Sequence, residues 1–134
     1  MPGFAETVRT VRDVPHAMAY VTRVGTGIRT MVDTSDPSRL ERAEAVMSRV
    51  RPVHDNLTEI AATVGSSDGR ESYAVVIHFG YVARGACECP DFGRTGPCKH
   101  VLAVALRWLD QVARPVYREL RQSLRHHGES SVCQ

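Results

Sequence analysis

Four side chains able to hold a metal crowd into a short stretch of the chain. Cys87 and Cys89 are one residue apart and, after eight intervening residues, Cys98 and His100 are again one residue apart. On extended backbone, residues i and i+2 project from the same face, so Cys87 and Cys89 can offer both sulfurs to one point while Glu88 turns away. From Pro97 the apolar residues recur at helical spacing, which places Cys98 and His100 at a helix entrance. There, unpaired backbone N–H groups and the positive end of the helix dipole favour a thiolate over a thiol. The intervening loop, Pro90-Asp91-Phe92-Gly93-Arg94-Thr95-Gly96-Pro97, carries two glycines and two prolines and can fold back to bring the pairs together. Three sulfurs and one imidazole make a closed tetrahedral shell suited to Zn2+, a d10 ion that accepts the tetrahedral geometry the protein offers. With every position taken by protein, no site remains for an activated water, so the expected role is structural and no enzymatic activity is expected. A metal-dependent hydrolase is the less favoured class. The filled shell would carry one net negative charge, which Arg94 or Lys99 could partly offset.

Cys87-Glu88-Cys89-Pro90-Asp91-Phe92 followed by Gly96-Pro97-Cys98-Lys99-His100-Val101-Leu102-Ala103-Val104 resembles the SWIM-type zinc finger, whose pattern is C-x-C-x(n)-C-x-H. All four ligand positions match, and the strands before them, roughly Tyr73 to Ala86, look like the lead-in hairpin of that family, so the resemblance covers about residues 70–110. The family occurs in helicase-associated proteins, chromatin remodellers, transposases and recombination-accessory proteins. The resemblance therefore implies binding of DNA or of protein. It does not extend to residues 1–50 or to the basic C-terminal stretch.

The fourth cysteine, Cys133, stands apart in a polar tail. Tight clustering of the other three beside a histidine is unlike a secreted disulfide framework, which spreads its half-cystines along the chain. The start of the chain lacks a signal-peptide pattern, so an intracellular, cytoplasmic location with reduced thiols is expected. The longest aliphatic run, Val101 to Leu106, is far too short to cross a bilayer, and no membrane association is expected. With 134 residues, 43% of them apolar and 24% charged, the chain has the profile of one globular domain spanning residues 1–134.

Net charge is only +2, which alone points to no polyanionic partner. Its distribution is more telling. Between Arg94 and His127, Arg94, Lys99, Arg107, Arg114, Arg118, Arg121 and Arg125 are opposed only by Asp110 and Glu119. Counted at about 100° per residue, the five arginines from Arg107 onward fall in one stripe opposite the apolar face. Such a stripe can neutralise phosphates without reading sequence. A solvated outer face of an amphipathic helix gives the same pattern, and Pro115 interrupts its alignment.

The elements that must position these residues read as an α+β fold. Residues 1–35 contain an ambiguous start, where Phe4, Val8 and Val11 suit a helix but Thr7 to Val11 is rich in strand formers. Val21–Val24 and Ile28–Val32 around Gly25-Thr26-Gly27 then read as a hairpin. Asp36 and Pro37 open a helix over about 37–50, closed by Pro52. Three strands follow as an antiparallel meander: Leu57 to Val64, the stretch bearing Tyr73, Val75, Ile77 and Phe79, and Tyr81 to Cys89. The meander leads into the Cys3His site. A C-terminal helix, apolar at Val101, Ala105, Leu109, Val112, Val116 and Leu120, covers the sheet, and Pro115 kinks it or starts a second helix in the basic extension over 111–134. His54, Asp55 and His78 read as ordinary loop and strand residues, since no nucleophile or second carboxylate is arranged beside them. Two functions fit this reading. One is a zinc-binding module of a DNA-binding accessory protein that contacts phosphates. The other is an adaptor for a helicase, recombinase or transposase-type protein partner. No small-molecule substrate is expected.

Overall fold

The computed structural model describes residues 2–66, 68–80, 82–90 and 96–132, with side chains through His126. Its helices are α1 (Phe4–Arg9), α2 (Val14–Asp33), α3 (Pro37–Val46), α4 (Lys99–Trp108) and α5 (Arg114–Val132). The strands are β1 (Val50–Asp55), β2 (Glu59–Gly65), β3 (Ser72–His78) and β4 (Arg84–Cys87). The fold is α+β, and the strands form one antiparallel sheet in the order β1-β2-β3-β4. Among the described residues no helix is long and apolar enough to cross a membrane.

The hairpin expected at Val21–Val32 is instead the middle of α2. Asp13 caps it by accepting from the His16 N–H at 3.1 Å, Pro15 occupies its first turn, and Ala17, Val21, Val24, Ile28 and Met31 are buried along one stripe. That stripe has a 3.6-residue period. The β-branched residues and Gly25-Thr26-Gly27 lower helix propensity, by roughly 1 kcal/mol for each glycine, but burial of the stripe outweighs them. α3 begins where expected, with Asp36 accepting from the Ser38 N–H at 2.8 Å. It ends at Val46 rather than near residue 50, and a 3-10 turn, Met47–Arg49, hands the chain to β1.

β1 is a strand the sequence reading lacked, and it makes the meander four-stranded. Pro52 lies inside it. Proline is tolerated there because β1 is an edge strand, where a missing N–H removes no ladder bond, and the register slips between Pro52 and His54. One face of the sheet presents Ile60, Ala62, Val64, Val75 and Ile77 to the core.

α4 crosses that face. It was expected to be amphipathic, yet His100 through Ala105 are all buried, because the sheet lies on one side and α2 and α3 pack on the other. A π-helical turn, Leu109–Ala113, then joins α4 to α5. The wider turn sits just where Pro115 would otherwise clash with the preceding turn and leave a carbonyl without its N–H. So Pro115 does begin a second helical segment, and the inserted π turn changes the phase between Arg107 and the arginines beyond it.

An aromatic cluster ties α1 to α2, to the end of β3 and to α4. Phe4, fully buried, has its ring 5.0 Å from Trp108, 5.7 Å from Phe79 and 6.1 Å from Tyr20. Asp55 locks this cluster to the sheet: one carboxylate oxygen accepts from the Phe4 backbone N–H at 3.2 Å and the other from Trp108 Nε1 at 3.1 Å. Replacing Asp55 with alanine strands both donors, and the expected loss is about 1–3 kcal/mol of unfolding free energy. Denaturant titration followed by Trp108 fluorescence measures it; unchanged stability would show that water replaces the carboxylate at no cost.

Candidate metal centre

β4 delivers the first ligand pair. Val75 and Cys87 are register partners, so Cys87 shares the core-facing side of the sheet with Val75 and Ile77. Pairing continues one residue further, with the Glu88 N–H reaching the Ala74 carbonyl at 3.3 Å; Glu88 points out and Cys89 turns in and is buried. The second pair opens α4. Cys98 is its N-cap residue in extended backbone, its carbonyl accepting the Leu102 N–H at 3.1 Å, and His100 lies in the first turn with only 4% of its surface exposed. The donor atoms of Cys87, Cys89, Cys98 and His100 all lie within 4.8 Å of one another. His100 Nδ1 is 3.8 Å from the Cys87 sulfur and 3.9 Å from that of Cys98.

This donor set fits a metal ion. A tetrahedral shell with metal–sulfur bonds near 2.3 Å has donor–donor edges of about 3.5–3.8 Å, so modest contraction closes the cluster around one centre. Soft thiolates and an imidazole are the ligands that borderline-soft divalent ions of the zinc type select. The protonation of the sulfurs points the same way. The Cys87 thiol hydrogen-bonds to the Cys98 sulfur, which holds Cys98 far below the usual thiol range and pushes Cys87 above it. Thiol ligands give up their protons when a cation binds, so metal uptake by this group is coupled to proton release.

Three further residues position the site. Gly85 faces α4, and a Cβ there would lie 2.3 Å from Val101 Cγ1, 3.2 Å from Cγ2 and 3.4 Å from its Cβ. Only glycine lets the start of α4 approach β4 closely enough for the ligand pairs to meet. The Tyr73 ring packs on the His100 imidazole with centroids 4.8 Å apart and holds its plane. Arg39 of α3 donates to the Pro97 carbonyl at 3.1 Å, bracing the turn at Gly96, whose φ of +100° suits glycine, immediately before Cys98. The sequence carried a signal for Tyr73, which shares the face of Val75. For Arg39 it carried none, because α3 meets the loop only through the tertiary fold.

The expected basic set separates into several groups. Arg94 lies outside the described residues. Lys99 is half-buried as the first residue of α4. Arg107 does not join an outer stripe: it donates to the Val50 carbonyl at 2.6 Å and ties α4 to β1. Arg114 is exposed and pairs with Asp110 at 3.0 Å, while Arg118, Arg121 and Arg125 are exposed along α5. His54 lies 3.5 Å from Glu59 on the neighbouring strand, and Asp55 has the structural role described above.

Residues 81–109 match the family model of the SWIM zinc finger. No curated protein and no solved structure matches the chain. The matched stretch runs from the approach to β4 to the end of α4 and contains all four donor residues, so this part of the chain is a SWIM zinc finger and a metal-binding module.

Two outcomes are expected of this centre. The chain should take up one Co2+ per molecule, with thiolate-to-cobalt charge-transfer bands that Cys98→Ser removes; binding of several ions, or unchanged bands in the variant, would refute a single shared centre. Gly85→Ala should cost about 1–3 kcal/mol through overpacking and weaken cobalt uptake, and adding Val101→Ala should restore much of both. Failure of the second substitution to compensate would show that the Gly85–Val101 contact is not what sets the approach.

Proposed function

We propose that the Cys87, Cys89, Cys98 and His100 group holds a structural zinc ion, and that the protein is a non-enzymatic accessory module that binds DNA through phosphate contacts made by α5. The observation that carries the reading is the charge left exposed on that helix. Among the residues whose side chains are described, the two acidic ones near the stripe are both engaged. Glu119 accepts from Arg9 at 2.7 and 2.9 Å, which also lowers its carboxyl pKa, and Asp110 pairs with Arg114. Arg118, Arg121 and Arg125 stand in one row at i, i+3 and i+7.

Arg29 extends this basic surface. It lines a cleft of about 280 Å3 between α2 and α5 together with Arg114 and Tyr117, so positive charge continues from one helix to the next. Guanidinium groups suit phosphate oxygens, and the scarcity of exposed aromatic rings argues for backbone contact rather than base stacking. The zinc ion would act at a distance, fixing β4 against α4 and so the direction in which α5 leaves the core. With four protein ligands it would have no open position for chemistry.

Duplex DNA of arbitrary sequence should bind with an affinity that falls steeply with salt. A log–log slope of about −3 to −4 corresponds to the release of counterions from four or so phosphates. The combined substitutions Arg118→Glu, Arg121→Glu and Arg125→Glu should reduce affinity at least tenfold and flatten the slope while leaving cobalt uptake intact. Binding unaffected by this reversal would overturn the assignment to α5 and favour the adaptor reading. Removal of zinc by a chelator should unfold the chain and abolish binding together, as followed by circular dichroism.

A further inference from the structure

The sheet ends in two edges that are built differently. The β1 edge carries Pro52 and a register slip, both of which discourage an added strand. The β4 edge carries neither. Its hydrogen bonds to β3 alternate: the Glu88–Ala74 bond sets the phase, so Ala86 and Arg84 turn their peptide groups toward β3, whereas Gly85 and Cys87 turn theirs away from it. Among the described residues these outward groups have no backbone partner.

That edge borders a cleft of about 750 Å3, within the range of ligand-binding clefts. Val82, Ala83, Arg84 and Gly85 all line it. Arg84 and Gly85 are the first two residues of β4, and Val82 and Ala83 lead into it. Successive strand side chains alternate between faces, so neighbours such as Arg84 and Gly85 border one space along the strand's edge. The opposite wall is α2, through Arg23, Gly27, Thr30 and Met31. The wall is mostly apolar or hydroxylated, Val82 is 70% exposed, and the charged groups among the described lining residues are Arg23 and Arg84, with no acid. Arg23 lies over the Tyr20 ring, its guanidinium 5.3 Å from the ring centroid, which steadies it on that wall.

We propose that the cleft between α2 and the free edge of β4 is a docking groove for an extended, acidic peptide segment of a partner protein, which adds to the sheet as a strand beside β4. The outward peptide group of Gly85, which lines the cleft, and that of Cys87, two residues further along the same edge, supply main-chain hydrogen bonds. Alternate side chains of the segment enter the groove, and its carboxylates meet Arg23 and Arg84. A single nucleic acid strand fits less well, because the described lining offers no aromatic ring for stacking while the edge offers a ladder of peptide groups. The groove lies apart from the α5 arginines and is independent of whether they bind DNA.

Selection of a displayed library of random short peptides on the metal-loaded full chain tests this. Enriched peptides should alternate β-forming residues with Asp or Glu and slow hydrogen exchange at the Gly85 and Cys87 amides. They should lose at least tenfold affinity for the variant carrying Arg23→Glu and Arg84→Glu, whose unchanged cobalt spectrum confirms its fold. The proposal is overturned by absence of enrichment, by peptides without acidic preference, or by protection elsewhere. Displacement of the peptides by oligothymidine that protects the same two amides would also overturn it, in favour of a nucleic acid groove.

Discussion

The closeness of α4 to β4 governs the rest of this molecule. Two ligand pairs, one on extended backbone and one at a helix entrance, can share a centre only if the helix start lies almost against the strand. At Gly85 that approach leaves no room for a Cβ beside Val101. A missing side chain thus does as much for the centre as the donors themselves. The cost is the backbone freedom that glycine loses on folding, offset by burial of α4 from His100 to Ala105 between the sheet and the helices α2 and α3. Core packing and ligand geometry are the same contact seen from two sides.

The electrostatics of the centre follow from this burial. Cys89, Cys98 and His100 are buried and Cys87 is half-buried, so several thiolates brought together without a cation would repel one another in a poorly solvated site. Protonation of a thiol relieves part of that repulsion, and a divalent ion relieves more of it. Tyr73 against the imidazole and Arg39 on the Pro97 carbonyl hold the donors in place from outside the matched family segment. The SWIM zinc finger therefore depends here on α3 and β3, which the family model does not cover.

The centre was legible because metal ligation demands particular side chains at short, fixed spacings, and Cys87, Cys89, Cys98 and His100 stand at them. β2, β3 and the start of α3 were legible for a similar reason, since turn residues and caps punctuate them. α2 was not. Its Val, Thr and Ile content and its two glycines favour a hairpin locally, and only the burial of Ala17, Val21, Val24, Ile28 and Met31 against the rest of the fold selects the helix. β1 was hidden by Pro52, which reads as a terminator until the strand is known to be an edge. Arg107 leaves the expected stripe because the π turn at Leu109–Ala113 resets the helical phase, a wider turn that Pro115 alone does not specify.

That reset divides the labour between the two halves of the C-terminal helical run. Before the π turn the helix belongs to the interior: Arg107 satisfies the Val50 carbonyl and Trp108 meets Asp55. After it, Val116 and Leu120 keep one side of α5 on the core while Arg118, Arg121 and Arg125 stay in water. An uninterrupted α-helix would keep Arg107 in phase with the exposed row, and a residue cannot both cap the β1 carbonyl and face solvent. The extra residue in the turn lets a single continuous helix serve a buried metal centre at one end and present a charged surface at the other.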